Sequence, residues 1–204
     1  MIDPQQSTDI HWHYGTVQRS DRERLKGHRG FTIWFTGLPC SGKSTIAEEL
    51  ADIIKAERGM VEVMDGDVVR TNLSKGLGFS REDRETNLKR IAFVCNLLTR
   101  NGVPNIGAAI SPFESVREWS RDLIGEHFIE VFARCPVEKC IERDVKGMYK
   151  KALAGEIKGF TGIDDPYEAP ERADVALDTS EMPPDQAALD ILLYLEKEGY
   201  IARA

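Results

Sequence analysis

Short apolar runs alternate with longer segments of helical periodicity from residue 31 onward. The runs "FTIWF", "MVEVM", "VPNIGAAI", "HFIEVFA" and "ADVALDT" are typical of buried strands. Between them, the helical spacing of apolar residues predicts helices over residues 43–58, 80–100 and 184–198, and "SPFESVREWSRDLI" and "PVEKCIERD" predict two more. Strands that alternate with helices form parallel sheets covered on both faces. We therefore predict a three-layer α/β/α fold around a five-stranded parallel sheet.

The predicted helices begin and end at capping residues. Ser80 is followed three residues later by Asp83, a pair that resembles a capping box. In "SPFE", Ser111 takes the position of an N-cap, with proline in the first turn and glutamate three residues after the serine. Gly59 is predicted to end the helix that starts at Lys43.

Two segments show no clear period. Residues 146–172, "KGMYKKALAGEIKGFTGIDDPYEAPER", mix charge, glycine and aromatic side chains and are too long for an ordinary connection, so we predict a lid. Residues 1–30 are polar and are predicted to form an N-terminal arm to a domain of residues 31–204. His11 and His13 could suggest a metal site, but an arm packed on the surface by Trp12 is the favoured interpretation.

Composition narrows the class of function. A net charge of −7 disfavours a long nucleic acid as partner. No segment approaches the roughly 18 to 20 apolar residues of a membrane helix, and the N-terminus lacks a hydrophobic signal core, so we expect a cytoplasmic protein without a membrane partner. Four cysteines without a Cys-x-x-Cys pair favour buried reduced thiols over a disulfide framework or a zinc site.

The stretch "TGLPCSGKST" follows the first predicted strand and precedes a predicted helix. Its Gly-x-x-x-x-Gly-Lys-Ser pattern matches a Walker A phosphate loop, in which backbone N–H groups and a helix N-terminus surround phosphate oxygens. Lys43 is predicted to reach the β- and γ-phosphates of ATP, and the Ser44 hydroxyl to help hold Mg²⁺. The predicted nucleotide-binding residues are Gly37, Leu38, Pro39, Cys40, Ser41, Gly42, Lys43, Ser44 and Thr45.

Acidic residues follow the second strand rather than the third. The chain contains no Asn-Lys-x-Asp guanine-binding motif, and "NIGAAI" lacks the terminal aspartate of a Walker B strand. Asp65 and Asp67 of "DGD" end the second strand, which in a parallel sheet lies beside the phosphate loop. A simple Asp-Gly turn is the alternative interpretation.

Four further stretches carry a family resemblance: "DGDVVR", "GLGFSREDRETNLKRIA", "ISPFESVR" and "KGMYKKALAGEIKGFTGIDDPYEAP". Together they resemble adenylyl-sulfate kinases, and the likeness runs from "HWHYG" to the C-terminal helix. The resemblance implies a P-loop kinase that moves the γ-phosphoryl group of MgATP to the 3′-hydroxyl of adenosine 5′-phosphosulfate, in sulfate activation. The alternatives are a kinase for another small hydroxyl, such as a nucleoside or shikimate, and a nucleotide-binding module without turnover.

The resemblance also assigns roles around the donor. Asp67 would orient the 3′-hydroxyl and accept its proton, and Asp65 would bind Mg²⁺ through water, although the two could exchange roles. Ser111 matches a serine that is thought to form a phosphoserine intermediate in some bacterial members. The alternative interpretation of Ser111 is a helix N-cap. Arg143 and Thr179 would lie near the adenine of ATP.

The acceptor would be held by aromatic and cationic residues. Phe79 and Phe160 would stack on the two faces of its adenine. The alternative interpretation is that both phenylalanines belong to the hydrophobic core. The acceptor's phosphosulfate would be bound by residues that match the family's contacts, namely Arg70, Arg84 and Asn87, joined by Lys150 or Lys151 from the lid. The alternative interpretation of Arg84 is a solvated surface arginine. Ile110 would contribute through its main chain or by packing.

Two departures from the family pattern are noted. Val145 stands where the family usually has proline, which predicts a less rigid lid hinge, and Lys89 stands where a second arginine is common. The family is commonly dimeric, so the resemblance implies a homodimer, and an ATP sulfurylase is a candidate partner.

Overall fold

The structure is a computed structural model that describes residues 16–202. The interpretation of His11, Trp12 and His13 concerns residues outside this range. Within it, no helix combines the length and the apolar character needed to cross a bilayer.

Five parallel strands form one sheet, as the sequence predicts. They run in the order β2-β3-β1-β4-β5, so the first strand lies at the centre. The strands are β1 (Thr32–Thr36), β2 (Glu62–Asp65), β3 (Asn105–Ala108), β4 (Phe128–Arg134) and β5 (Val175–Asp178).

Helices cover both faces of this sheet. In the described residues they are α1 (Arg19–Lys26), α2 (Lys43–Arg58), α3 (Gly66–Thr71), α4 (Arg81–Arg100), α5 (Glu114–Ile124), α6 (Val137–Arg143), α7 (Met148–Leu153) and α8 (Pro184–Lys197), with a 3₁₀ turn over Gly125–His127. Alternate residues of β1 point to opposite faces: Ile33 and Phe35 pack with α2 and α8, and Trp34 packs with α4 and α5. The two apolar cores confirm the three-layer prediction.

Gly107 of β3 explains how the large Trp34 ring fits between sheet and helix. A Cβ atom at Gly107 would lie 3.0 Å from Trp34 Cε3, so a side chain there would displace the ring.

Three short helices are absent from the sequence prediction. α1 lies in the predicted N-terminal arm and is docked by Arg19, whose guanidinium donates to the Ile124 carbonyl at 3.3 Å. α3 directly follows β2, and α7 lies inside the predicted lid, where it buries Tyr149 completely. These helices span six to eight residues, too short for a periodic pattern.

The predicted N-cap at Ser80 is confirmed, because its Oγ accepts from the Asp83 N–H at 3.1 Å. The predicted N-cap at Ser111 is wrong, because α5 begins three residues later, at Glu114. The Glu114 N–H, in the first turn of the helix, instead donates to the Glu168 carboxylate at 2.7 Å. A residue distant in sequence therefore caps this helix.

All four cysteines are free thiols, and Cys95, Cys135 and Cys140 are buried. Burial raises the pKa of Cys95 to about 12, so this thiol stays protonated at neutral pH. The prediction of buried reduced thiols holds for these three, whereas Cys40 of the phosphate loop is half-buried.

Candidate active site

The phosphate loop joins β1 to α2 and has the backbone that its glycines predict. Gly37 has φ +153°, and a Cβ atom there would lie 2.6 Å from the Ala133 carbonyl oxygen. Gly42 has φ +95° and stands directly before the first residue of α2. The curl of the loop depends on these two positions, because other residues rarely adopt such a backbone. Cys40 also has a positive φ of 61°, and Thr45 is exposed in the first turn of α2.

Lys43 folds back over the loop that precedes it. Its Nζ donates to the Gly37 carbonyl at 2.9 Å, to the Leu38 carbonyl at 2.7 Å and to Ser41 Oγ at 3.3 Å. Burial lowers the pKa of Lys43 to about 8, since a desolvated ammonium loses hydration that three neutral acceptors replace only in part. An anion at this loop would restore a full countercharge to the ammonium.

Ser44 and Asp65 bring oxygen atoms together at the start of α2. Ser44 Oγ donates to Asp65 Oδ2 at 3.1 Å, and Asp65 Oδ1 accepts from the Asp67 N–H at 2.9 Å. A hydroxyl and a carboxylate are ligands that suit Mg²⁺, which usually takes its remaining ligands from phosphates and water. Among residues 16–202, no group of three or more His, Cys, Asp or Glu side chains is arranged to hold a metal ion.

Asp67 projects from the first turn of α3, and 74% of its side chain is exposed. Its carboxylate forms an ion pair with Lys146 Nζ, and the hydrogen bond raises the pKa of Lys146. The sequence analysis missed Lys146. A signal was available, because this lysine is the first residue of the predicted lid.

Phe79 is not a core residue, since 70% of its surface is exposed. The Arg70 guanidinium lies 4.5 Å from the centre of the Phe79 ring and donates to the Gly78 carbonyl at 2.9 Å. Phe160 is half-buried and meets Tyr149 edge-on, with ring centres 4.9 Å apart. The core interpretation is therefore wrong for Phe79 and partly right for Phe160.

Arg84 joins α4 to the lid. Its guanidinium donates to the Phe79 carbonyl, Thr161 Oγ1 and Asp165 Oδ2, each at 2.8 Å, and also to the Gly159 carbonyl. Only 13% of the side chain is exposed, so the interpretation of Arg84 as a solvated surface arginine is wrong.

Asn87 lies on the same face of α4 as Arg84, three residues later, and is 5% exposed. Among the described residues, Asn87 Oδ1 has no hydrogen-bond partner. A buried amide oxygen without a partner is costly and is typical of a site that a ligand completes.

The remaining predicted acceptor residues are Ile110 and Lys150. The Ile110 carbonyl accepts from the Gly37 N–H at 3.2 Å and from Thr36 Oγ1 at 3.0 Å, so its main chain holds the phosphate loop. Lys150 and Lys151 are both exposed on α7.

Arg143 and Thr179 meet at the carboxyl end of β5. Arg143 Nη2 donates to the Thr179 carbonyl at 2.6 Å and to the Ser180 carbonyl at 2.9 Å. The Thr179 hydroxyl donates to the Arg134 carbonyl at 3.1 Å. The structure thus brings together two residues that the sequence analysis placed near the adenine of ATP.

The lid packs against the phosphate loop. Tyr149 Oη donates to the Pro39 carbonyl at 3.1 Å, and a Cβ atom at Gly162 would lie 2.7 Å from Leu38 Cδ2. The sequence analysis did not identify Tyr149 because a single aromatic residue in an irregular segment gives no periodic signal. Val145, just before the lid, is 84% exposed, so packing does not restrict this hinge position.

Ser111 is 1% exposed and has φ +46°. Its Oγ accepts from Trp34 Nε1 at 3.0 Å, and its carbonyl accepts from Thr36 Oγ1 at 3.0 Å and from Arg117 Nη1 at 2.9 Å. The hydroxyl is thus directed into the core between β1 and α5.

Comparisons with known proteins agree with this geometry. The family model described as adenylylsulphate kinase matches residues 29–178. The adenylyl-sulfate kinase of Picosynechococcus sp. (strain ATCC 27264 / PCC 7002 / PR-6) is 53% identical over 85% of this chain and 98% of its own. A probable bifunctional SAT/APS kinase 2 of Sorangium cellulosum is 54% identical, and the matched part is 30% of that protein.

Solved structures extend the likeness to the fold. The Mycobacterium tuberculosis APS kinase CysC, solved in complex with AMPPNP and APS, superposes with a TM-score of 0.79 at 42% identity, over 83% of this chain and 99% of its own. The shikimate kinase of Aquifex aeolicus vf5 superposes with a TM-score of 0.50 at 22% identity, over 83% of this chain and 98% of its own, which shows a shared fold. The family model and the near-full-length relatives together establish that this chain belongs to the adenylylsulphate kinase family.

Proposed function

We propose that this chain transfers the γ-phosphoryl group of ATP to the 3′-hydroxyl of adenosine 5′-phosphosulfate, giving 3′-phosphoadenosine 5′-phosphosulfate and ADP. The observation that carries the proposal is the hydrogen-bonded link from the start of α2, at the phosphate loop, to the main chain of Asp67. Ser44 Oγ bonds Asp65 Oδ2 at 3.1 Å, and Asp65 Oδ1 bonds the Asp67 N–H at 2.9 Å. The donor phosphate and the acceptor hydroxyl would meet across this link.

The donor half would bind ATP by its phosphates and its adenine. The loop N–H groups and the start of α2 favour phosphate, and Lys43 would turn from its carbonyl acceptors to the β- and γ-phosphates. Arg143 and Thr179 would border the adenine. Ser44 and Asp65 would hold Mg²⁺, which would neutralise negative charge that develops on the phosphates during transfer.

The acceptor half would bind the sulfated nucleotide by stacking and by charge. Phe79 presents an exposed face and Phe160 a half-buried one, which suits a flat adenine between them. The Arg70 guanidinium suits an oxyanion. Asn87 would bind an oxyanion through its amide NH2, whereas its unpartnered Oδ1 would accept from a donor group of the nucleotide. Arg84 would contribute its remaining hydrogen-bonding capacity, or act by holding the lid that carries Phe160.

Asp67 would orient the acceptor hydroxyl and receive its proton as the new oxygen–phosphorus bond forms and the bond to the leaving ADP breaks. An alcohol need not ionise first in a loose phosphoryl-transfer transition state, so a positioned carboxylate is sufficient. The ion pair with Lys146 turns the Asp67 carboxylate toward the lid. For Ser111 we propose a structural role, because its buried hydroxyl is hydrogen-bonded to Trp34 and in-line transfer requires no phosphoserine intermediate.

A coupled assay of ADP release tests the proposal. With MgATP as donor, we expect turnover with adenosine 5′-phosphosulfate and none with adenosine or shikimate, since neither of these carries the phosphosulfate that Arg70 and Asn87 would bind. Turnover with shikimate or adenosine in preference would show a different acceptor. The absence of turnover with all three would favour a binding module.

Assembly and location remain proposals too. We propose a homodimer on the basis of the family resemblance. The hexameric APS kinase of Thiobacillus denitrificans, which is 34% identical with a TM-score of 0.68 and of which the match covers 32%, supports an oligomer. Sedimentation velocity would test it. An ATP sulfurylase as functional partner and a cytoplasmic location stay predictions from the sequence, and the bifunctional relative supports the former.

A further inference from the structure

The C-terminal end of the lid is fastened to the loop between β3 and α5. The Glu168 N–H donates to the Pro112 carbonyl at 2.9 Å, and the Glu168 carboxylate accepts from the Glu114 N–H at 2.7 Å. These contacts join segments that are far apart in sequence. We call the group formed by Thr36, Ser111, Arg117, Tyr167 and Glu168 the lid anchor.

Arg117 is the centre of the lid anchor. It lies on α5, is 2% exposed, and donates from Nη1 to the Ser111 carbonyl at 2.9 Å and from Nη2 to the Glu168 carbonyl at 2.7 Å. Its Nε forms an ion pair with Glu130 Oε1 at 2.8 Å. One rigid guanidinium thus joins a loop, the lid and β4, which a lysine ammonium could not do in the same geometry.

Tyr167 provides a second attachment. Its hydroxyl lies 2.9 Å from Thr36 Oγ1, which also bonds the Ile110 and Ser111 carbonyls at 3.0 Å each. The Tyr167 ring stacks on Phe132 with ring centres 6.2 Å apart. The end of β1, the loop after β3 and the lid therefore share one hydrogen-bonded junction.

Ser111 shows why such a junction is needed. Its φ of +46° is unfavourable for a residue with a side chain and persists only where surrounding contacts fix it. Trp34, Thr36 and Arg117 supply those contacts. The preceding residue, Ile110, holds the phosphate loop through its carbonyl, so the position of Ser111 also sets the wall of the site.

We propose that Arg117 is a positioning residue for the acceptor substrate. Arg117 acts through Ser111 and Glu168. Through Ser111 it fixes the loop that carries Ile110, and through Glu168 it fixes the C-terminal end of the lid, which carries Phe160 in its central part. The inference rests on the proposed function. Loosening the lid anchor would displace the acceptor side while the phosphate loop lysine and Asp65 keep their own contacts, so binding of the acceptor would suffer more than binding of ATP.

Arg121 offers a matched control on the same helix. It also pairs with Glu130, at 3.2 Å, but its other partners are Asp174 at 2.8 Å and the Phe128 carbonyl at 3.5 Å. We expect Arg117→Lys to raise the KM for adenosine 5′-phosphosulfate about tenfold, with kcat and the KM for ATP within about twofold of wild type. Arg121→Lys should leave all three parameters near wild type. Equal KM values for the two variants, or a loss confined to kcat, would overturn the inference.

Tyr167→Phe keeps the ring stack and loses only the hydroxyl. This variant tests the lid anchor independently if the Arg117 variant misfolds. It should raise the acceptor KM in the same direction by about threefold, and an unchanged KM would count against the lid anchor.

Tryptic cleavage at the exposed lid lysines Lys150, Lys151 and Lys158 gives a readout without substrate. Cleavage should be faster in Arg117→Lys than in Arg121→Lys, and equal rates would overturn the anchor even if the wild-type protein phosphorylated no acceptor. Failure of wild-type turnover alone would instead count against the proposed function.

Discussion

The two ends of the sheet use similar polar residues in opposite ways. At the amino end, Thr32, Thr99 and Asn105 are fully buried and bond one another: Thr32 Oγ1 lies 2.7 Å from Thr99 Oγ1, and Asn105 Nδ2 donates to Thr99 Oγ1 at 2.9 Å. At the carboxyl end, Asp67 and Phe79 are mostly exposed, and Asn87 Oδ1 is buried without a partner among the described residues.

The difference shows which polar groups serve stability and which serve ligands. A closed network of buried hydrogen bonds stabilises the fold because breaking it leaves unsatisfied groups. Open or exchangeable groups add little stability but can bind a substrate. The carboxyl end is also where parallel sheets bind ligands. Substitutions at the two ends should therefore separate cleanly into effects on turnover and effects on unfolding.

The largest effect is expected for Asp67→Asn at the carboxyl end. Loss of the carboxylate should lower kcat by about 10²- to 10⁴-fold, with little change in either KM, because a proton acceptor acts mainly in the transition state. Steady-state kinetics of ADP release would measure it. Asp52→Asn, on the exposed face of α2, is the matched control and should retain wild-type kcat. A rise in KM with unchanged kcat would remove Asp67 from the chemistry.

Asn105→Ala tests the opposite end. The fully buried Asn105 amide donates to the Phe31 carbonyl at 3.1 Å and to Thr99 Oγ1 at 2.9 Å, and truncation would remove both bonds and leave a cavity in their place. We expect the free energy of unfolding to fall by about 2–4 kcal/mol in urea titrations. Turnover should be unchanged below the unfolding transition, and the exposed-amide variant Gln186→Ala should be neutral. A loss of activity in the folded Asn105 variant would contradict the division between the two ends.

Phe79→Ala should affect the acceptor alone. Loss of one stacking partner is expected to raise the KM for adenosine 5′-phosphosulfate about tenfold, or about 1.4 kcal/mol, with kcat nearly constant. Phe93→Ala is a suitable control, because Phe93 of α4 is 42% exposed and borders a depression lined by Leu73, Lys89 and Arg90, none of which is a predicted site residue. Equal effects of the two substitutions on the acceptor KM would exclude Phe79 from the binding site.

Sequence patterns predicted the sheet and the phosphate loop because both depend on local rules. The uninterrupted burial of β1 follows from its continuous apolar run, and the backbone geometry at Gly37 and Gly42 follows from the glycines of the Walker A pattern. The N-cap prediction at Ser111 failed because the carboxylate that caps α5 comes from Glu168, 54 positions from Glu114. Such tertiary contacts have no signature in a single sequence.

The acceptor side was predicted mainly from a family resemblance, and its structure shows why. Arg84 bonds the lid through Thr161 and Asp165, and Lys146 pairs with Asp67 across 79 positions of sequence. No periodicity or spacing rule could have identified these partners. The resemblance supplied residue roles, whereas the contacts that position those residues required the structure.

The smallest expected effect concerns His127, at the amino end. His127 is 2% exposed, and the Tyr200 ring packs against it with ring centres 6.4 Å apart. Burial lowers the pKa of His127 below the usual 6.5. The positive charges of Arg19 and Arg29 lower this pKa further, and the negative charges of Glu23 and Glu126 oppose the shift. The unfolded chain therefore binds a proton at a higher pH than the folded protein does. As pH falls from 6.5 through the lowered pKa, protonation favours unfolding and stability decreases; above pH 6.5 the effect disappears.

His127→Gln should flatten this acid-side decline in the free energy of unfolding, measured by urea titration between about pH 5 and 7.5. The substitution also removes packing contacts and so lowers the free energy of unfolding at neutral pH. The test is therefore the slope of the free energy of unfolding against pH, not its absolute value. An unchanged slope would show that His127 does not titrate differently in the folded and unfolded states. Turnover corrected for the folded fraction should keep the wild-type pH profile, because His127 lies at the amino end of the sheet and the proposed substrate site at the carboxyl end.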